Sequence, residues 1–146
     1  MHYLLALFGG VLVAVGLPPL AWWPAMLVGI ACYFVAAERA PSRTRVQFTL
    51  GVLFAWGWLA PAMGWMWHLV PGGFIVAPLL FAITHGAAAA ITSRIVSCRS
   101  DSGSVSSTSL TSRIMVRGAA HVLAESLRFV APFGGVPLAG LALGVA

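Results

Sequence analysis

Charged side chains are scarce in this sequence, and lysine is absent. Charged residues make up 8% of the chain and hydrophobic residues 60%, whereas an ordinary soluble domain has roughly a quarter charged residues. A soluble globule of this size has too much surface to cover with so few polar groups. The composition therefore argues against a water-soluble enzyme. It also argues against a nucleic-acid binder, because the arginines lie between long apolar runs.

Residues that build common catalytic and metal sites are also missing or scattered. Without lysine there is no Schiff-base chemistry. Cys32 lies in an apolar run and Cys98 in a serine-rich segment, so we expect no disulfide between them. The four histidines show no metal-ligand spacing, and no nucleophile stands beside a base. We therefore predict no catalytic residue, no metal and no cofactor in this chain.

Long apolar runs predict an all-α fold, a polytopic transmembrane helix bundle of about five spans. A helix needs about 20 apolar residues to cross the hydrocarbon core. The predicted spans cover residues 3–17, 22–38, 46–69, 74–95 and 114–130. Pro61 predicts a kink in the third span, and Pro78 falls in the first turn of the fourth. A cleaved signal peptide is the alternative for the first run, although no lysine or arginine precedes it.

The segments between and after these runs predict the orientation. A serine-rich linker covers 97–112, and an apolar loop with an unfinished span covers 131–146, so we expect the chain to stop as a sixth span begins. Seven of the eight arginines lie in or beside the second-to-third and fourth-to-fifth loops. Because cytoplasmic loops are enriched in arginine, we predict that these loops and the N-terminus are cytoplasmic. The loop after residue 130 is then extracytoplasmic.

Four ionisable residues share one face of the fifth run: Arg117, His121, Glu125 and Arg128. Spacings of four, four and three residues suit a helix of 3.6 residues per turn. Ionisable groups within a membrane usually face a bundle interior or a wet cavity. Glu125 and Arg128 can pair within one turn, and Arg117 can extend to the cytoplasmic interface. Two interpretations remain, a structural ion pair that orients the helix or the lining of a lipid or substrate cavity.

Four short motifs follow one another along the chain. They are a Pro-Pro turn before Trp-Pro (16–24), a glycine- and tryptophan-rich run (50–67), Glu125-Ser126-Leu127-Arg128, and Gly135-Val136-Pro137-Leu138. In this order they resemble the N-terminal membrane region of apolipoprotein N-acyltransferase. The resemblance covers roughly 5–94 and 118–144.

This resemblance implies an enzyme of the bacterial inner membrane. The family moves an acyl chain from a phospholipid donor to the α-amine of a diacylglyceryl-cysteine at the N-terminus of a lipoprotein acceptor. Its chemistry lies in a nitrilase-like extracytoplasmic domain with a Glu-Lys-Cys triad, which a chain without lysine is not expected to hold. The resemblance makes Glu125 and Arg128 candidates for the mouth of a lipid cavity in the outer leaflet. Gly134, Gly135 and Pro137 would shape the loop beside it.

Two other functions remain open from the residues. The chain suits a non-catalytic membrane subunit or scaffold that works with a separate catalytic chain. It also suits a small transporter component that uses His85 or His121, although the sequence has no visible internal repeat.

Overall fold

The described part of the chain is entirely helical. A computed structural model describes residues 1–101 and 109–130, and within those ranges there are α-helices, one 3₁₀ helix and no strand. The helices are α1 (His2–Val15), α2 (Trp23–Arg39), α3 (Thr44–Ala62), a 3₁₀ helix (Gly64–His68), α4 (Pro71–Asp101) and α5 (Leu110–Val130). The predicted all-α class is confirmed. The loop and unfinished span predicted over 131–146 lie outside the described residues.

The third predicted run is divided into two helices. α3 ends at Ala62, one residue after Pro61, and the 3₁₀ helix begins at Gly64. The predicted kink within a continuous helix up to residue 69 was therefore wrong. Pro61 has no N–H to donate and glycine weakens a helix, so the last turn closes with the bond from the Met63 N–H to the Leu59 carbonyl (2.9 Å) and continues no further.

The fourth helix is longer than predicted. It starts at Pro71, where the missing N–H is one of the donors that a first turn leaves unpaired in any case. Pro78 therefore lies inside α4 and not in its first turn, which corrects the sequence interpretation. α4 runs to Asp101 and α5 begins at Leu110, so both helices take residues from the predicted linker 97–112.

Glycines allow the first helices to approach backbone to backbone. α1 packs on both α2 and α3, α3 packs on α4, and α4 packs on α5. A Cβ atom added to Gly9 would lie 2.6 Å from the Gly29 carbonyl oxygen of α2, and one added to Gly10 would collide with the Phe54 carbonyl of α3. In a lipid bilayer the hydrophobic effect does not drive helices together, so close packing at small residues contributes much of the association.

α5 is polar on its buried side and apolar on its exposed side. Arg117, Glu125 and Arg128 are buried, while the large exposed hydrophobic side chains are Leu110, Met115, Val122, Leu123, Leu127 and Val130, at 56–72% exposure. A soluble surface helix has the opposite arrangement. Polar groups turned inward and apolar groups outward are expected where the surrounding solvent is lipid.

One described helix has both the length and the hydropathy to cross a membrane. It is the Pro71–Cys98 part of α4, with a mean hydropathy of 2.0 over its most apolar window. α1 is apolar but shorter, at 14 residues. The predicted five-span bundle is therefore not established by helix length and composition within the described ranges.

Candidate functional site

A cluster of buried polar side chains lies between α5 and the helices α2 and α4. We call Tyr33, His85, His121, Glu125 and Arg128 the inner polar cluster. α2 supplies Tyr33, α4 supplies His85, and α5 supplies the other three, one helical turn apart. Their spacing along α5 turns all three to the same side of the helix, which is why one helix contributes most of the cluster.

Glu125 and Arg128 form the ion pair that the sequence predicts. The Arg128 Nε donates to the Glu125 Oε2 at 3.1 Å, and the Arg128 Nη2 donates to the Glu125 Oε1, so the contact is bidentate. The guanidinium carbon lies 5.5 Å from the ring centroid of Trp58 and 5.3 Å from that of Phe81. Because Arg128 is 4% exposed, its charge depends on this carboxylate and on the ring faces for stabilisation.

A line of hydrogen-bonding groups connects Tyr33 to this ion pair. The Tyr33 hydroxyl lies 2.7 Å from the His121 Nε2, and the His121 Nδ1 lies 3.0 Å from the His85 Nδ1. The His85 Nε2 then lies 3.5 Å from the Glu125 Oε2, an electrostatic contact longer than a normal hydrogen bond. Sequence reasoning considered each histidine alone, because their separation of 36 residues gives no signal of contact.

With both histidines neutral, one assignment of protons gives each hydrogen bond among Tyr33, His121 and His85 one donor and one acceptor. Tyr33 donates to the His121 Nε2, which makes the His121 Nδ1 a donor to the His85 Nδ1. His85 then carries its proton on Nε2, the atom that faces the Glu125 carboxylate. In this assignment every donor points the same way, from the Tyr33 hydroxyl towards the Glu125 carboxylate. Arg128 binds that carboxylate and fixes its position.

Packing between α3 and α4 sets the position of His85. A Cβ atom added to Gly51 would lie 2.6 Å from the His85 carbonyl oxygen, so glycine is needed for α3 to pass this close. The approach brings the Trp58 ring edge-on to the His85 ring, with centroids 6.0 Å apart. His85 is 1% exposed and Trp58 is fully buried, so the imidazole is held by tight packing.

A second polar group surrounds Arg117, nearer the start of α5. The Arg117 Nη1 donates to the Gln47 Oε1 at 2.9 Å, and its Nε lies 3.3 Å from the Glu38 Oε1. The Gln47 amide in turn donates to the carbonyls of Ala37 and Pro41 at 3.0 and 3.2 Å. Arg117 is 5% exposed, so its side chain is enclosed by protein groups at this end of the bundle. A buried carboxamide and carboxylate bind it more favourably than the surface does.

The Arg117 partners were missed from the sequence. Gln47 and Arg117 are 70 residues apart, which places their contact beyond any local pattern. The available signal was the glutamine itself, which stands at the start of an otherwise apolar run. A polar side chain in that position needs a buried partner or an exposed site, and the α3 surface here is covered.

A cavity of about 390 Å³ lies between α2, α3 and α5. Its lining is mostly apolar and comes from Ile30, Phe34, Phe54, Gly118 and Val122, with four polar side chains, those of Tyr33, His121, Glu125 and Ser126. Val122 and Ser126 are exposed, so the cavity opens beside α5. A Cβ atom added to Gly118 would meet no atom within 4 Å. Such a site suits a ligand with an apolar body and one polar group.

The predicted site residues have different positions relative to this cavity. Glu125 lines it, whereas Arg128 pairs with Glu125 without being part of the lining. Gly134, Gly135 and Pro137 lie outside the described residues. Within 1–101 and 109–130, no group of three or more His, Cys, Asp and Glu side chains is arranged to hold a metal ion.

Comparison with known proteins identifies the family. No individual curated protein and no solved structure gives a significant match to the chain. The family model described as the apolipoprotein N-acyltransferase N-terminal domain matches residues 9–146, which is nearly the whole sequence. The resemblance noted from the motifs is thereby confirmed, and the chain belongs to the apolipoprotein N-acyltransferase N-terminal domain family.

Proposed function

We propose that this chain is the membrane region of an apolipoprotein N-acyltransferase. The enzyme would transfer an acyl chain from a phospholipid to the N-terminal amine of a diacylglyceryl-cysteine lipoprotein in the bacterial inner membrane. The family match over residues 9–146 carries this proposal. In such an enzyme the task of this region is to hold lipid substrates and to seat the catalytic domain.

The proposal includes five membrane-crossing helices with the N-terminus in the cytoplasm. The inverted polarity of α5 supports it, because Leu123 and Val130 are 69% and 72% exposed while Arg128 is 4% exposed. The two ends of the bundle also differ. Arginines lie where α2 ends and α3 begins, whereas exposed Trp22, Trp23, Trp65 and Trp67 lie at the opposite end. Arginine inside and tryptophan at the interface are typical of membrane proteins.

The cavity beside α5 is the proposed site for an acyl chain. Its walls contain Ile30, Phe34 and Phe54, and its volume of about 390 Å³ is adequate for part of one lipid tail. Glu125 would mark the polar end of the cavity, with Arg128 as its counter-ion. We propose that Gly134, Gly135 and Pro137 form the adjoining extracytoplasmic loop, as the family resemblance implies.

A chimaeric enzyme tests the proposal. Residues 1–146 would replace the matching N-terminal region of an active N-acyltransferase, and N-acylation of a reporter lipoprotein would be measured in cells depleted of their own enzyme. We expect the chimaera to restore N-acylation. Loss of acylation with normal membrane insertion would contradict the proposal.

Two matched variants of this chimaera test the cavity. Gly118→Leu places a side chain in the open cavity, and Ala119→Leu places the same side chain on the exposed side of the same helix. We expect acylation to fall at least about tenfold with Gly118→Leu, a loss of about 1.4 kcal/mol in transition-state stabilisation, and to be unchanged with Ala119→Leu. Equal acylation by the Gly118→Leu and Ala119→Leu variants would contradict the proposal that the cavity binds an acyl chain. Glu125→Ala should also impair acylation without preventing insertion.

A scaffold for a separate catalytic chain is the second candidate function. In this candidate the Glu-Lys-Cys triad of the family, which residues 1–146 do not contain, would be supplied by another polypeptide. Isolation of the tagged chain from its own membranes distinguishes the two candidates. A nitrilase-like protein that co-purifies as a separate polypeptide would favour the scaffold.

A further inference from the structure

A polar cavity lies beside the first part of α5, on the N-terminal side of the residues that line the acyl-chain cavity. It has a volume of about 320 Å³ and is formed by the end of α2, the start of α3, the distal part of α4 and the start of α5. We call it the basic pocket. Its charged and amide side chains are Glu38, Gln47, Arg113 and Arg117, and serine hydroxyls from the α2–α3 loop and α4 complete the polar lining.

The basic pocket has an excess of positive charge. Glu38 pairs with Arg113 through the Arg113 Nη2 and lies 3.3 Å from the Arg117 Nε. Two guanidinium groups therefore share one carboxylate, which leaves a net charge of +1. Further arginines at 39, 43, 45 and 94 belong to the same end of the bundle and add to the positive potential there.

The two guanidinium groups retain hydrogen-bonding capacity. The buried Arg113 Nε makes no hydrogen bond within the described residues, and the buried Arg117 Nε has the 3.3 Å ion-pair contact with the Glu38 Oε1 but no aligned hydrogen bond. The Arg117 Nη1 already donates to the Gln47 Oε1, and the Gln47 amide donates to the carbonyls of Ala37 in α2 and Pro41 in the α2–α3 loop. Arg117 is consequently held in position before any ligand arrives. Arginine donors fixed in this way suit the oxygens of a phosphate group.

We infer that the basic pocket binds a phosphate group, and that phosphatidylglycerol of the surrounding leaflet presents it as a lipid headgroup. A pocket between helices at the arginine-rich end of a membrane protein is a place where anionic headgroups bind. The volume of about 320 Å³ accommodates a phosphate with part of its glycerol. The inference rests on the membrane placement proposed above, but not on acyl transfer.

Glu38 competes with the ligand in this arrangement. Its carboxylate occupies the same guanidinium groups that a phosphate would engage. Removal of that charge raises the local charge from +1 to +2 and frees donors of Arg113. The pocket therefore predicts a gain of binding on Glu38→Gln, whereas a merely structural ion pair predicts no gain.

Lipid binding to the full chain in a neutral detergent provides the test. Native mass spectrometry would compare phosphatidylglycerol with phosphatidylcholine of equal chain length. We expect a preference for phosphatidylglycerol that Arg113→Gln reduces about tenfold, since bidentate contacts to a charged group are lost. Arg45→Gln is the matched control, because it removes the same charge from an exposed position at the same end. It should change the preference by less than about twofold.

The results separate the sources of the phosphate. Inorganic phosphate that displaces phosphatidylglycerol would support the pocket and assign it to a soluble anion, whereas no displacement would assign it to the lipid headgroup. Equal binding of the two lipids by the wild-type chain, or equal losses in Arg113→Gln and Arg45→Gln, would overturn the inference. Tighter binding in Glu38→Gln supports it even if Arg113→Gln is poorly folded. Each result is independent of the chimaera, so the two proposals fail separately.

Discussion

The two sides of the bundle are held together by different physical means. α1 has no Asp, Glu, Lys or Arg and meets α2 and α3 through glycine backbones, so that close van der Waals packing dominates there. α5 meets its neighbours through ion pairs and hydrogen bonds from Arg113, Arg117 and His121. Both arrangements suit helices in lipid, where hydrophobic burial drives association weakly.

The difference matters for where ligands can bind. Backbone contact at Gly9 and Gly10 leaves no space for another molecule. α5 is joined to its neighbours by long polar side chains, and one polar and one mostly apolar cavity border it. We therefore propose that the glycine side of the molecule is a rigid support and that the functional sites lie beside α5.

Loss of the Glu125 carboxylate should produce the largest effect on stability. Glu125→Leu leaves the Arg128 guanidinium buried beside Trp58 and Phe81 without its counter-ion, and we expect a loss of about 3–5 kcal/mol in the free energy of unfolding. Denaturation in detergent, followed by tryptophan fluorescence, measures it. The double variant Glu125→Leu with Arg128→Leu should recover most of the loss. A double variant as unstable as the single one would mean that the charge pair is not the cause.

Identical substitutions on the two sides should then give different results. Gly10→Leu forces its Cβ against the Phe54 carbonyl of α3, and we expect a loss of about 1–3 kcal/mol or more in the free energy of unfolding. Gly118→Leu enters open space and also improves helix propensity, so stability should be unchanged or slightly higher. The stabilities of the Gly10→Leu and Gly118→Leu variants are compared by their thermal unfolding midpoints, measured by circular dichroism. Equal losses would contradict the distinction between the packed side and the open side.

A substitution at Gln47 tests whether the stability of the α5 side depends on its buried hydrogen bonds. Gln47→Leu removes the acceptor of the Arg117 Nη1 and the donor to two carbonyls, and we expect a loss of about 1–3 kcal/mol in the free energy of unfolding. Thr49→Val, at an exposed position two residues away, is the control and should have little effect. Denaturant titration of both variants in the same detergent measures the two free energies of unfolding. Similar values for the two would show that the buried amide contributes nothing specific.

Tyr33 should give the smallest of these effects. Tyr33→Phe retains the ring that stacks on Phe54 but removes the hydroxyl that lies 2.7 Å from the His121 Nε2. We expect a loss of about 0.5–1.5 kcal/mol in the free energy of unfolding. Tyr3→Phe on α1 makes the same chemical change at a more exposed site and serves as the control. Proton spectra of the His121 imidazole should also shift in Tyr33→Phe and not in Tyr3→Phe.

Local sequence patterns were sufficient to predict some features of this molecule. The spacing of Glu125 and Arg128 predicts their pairing, because three residues on a helix bring two side chains together without help from other elements. The all-α fold class was predicted from the long apolar runs. The boundaries at Ala62 and Pro71 were not predicted, because a proline near the end of a run is compatible with either a kink or a stop.

The polar contacts between helices were beyond sequence reasoning. His85 and His121 were noticed singly, and the Gln47–Arg117 hydrogen bond was not expected at all. Each contact joins helices that are distant in the chain, so no spacing rule applies to it. Gly51 explains the position of His85 only when α3 and α4 are seen to cross beside it.

The sequence by itself determined that the chain is helical, that it is rich in apolar surface and that one face of α5 is ionisable, because composition and helical periodicity are local properties. Its motifs also determined the family. Only the tertiary structure decided which groups of other helices contact that face, namely Tyr33, His85 and Gln47, and that cavities border α5. The physical reason is that a buried polar group must find its partner in three dimensions, and the glycine contacts that bring the helices together set where that partner lies.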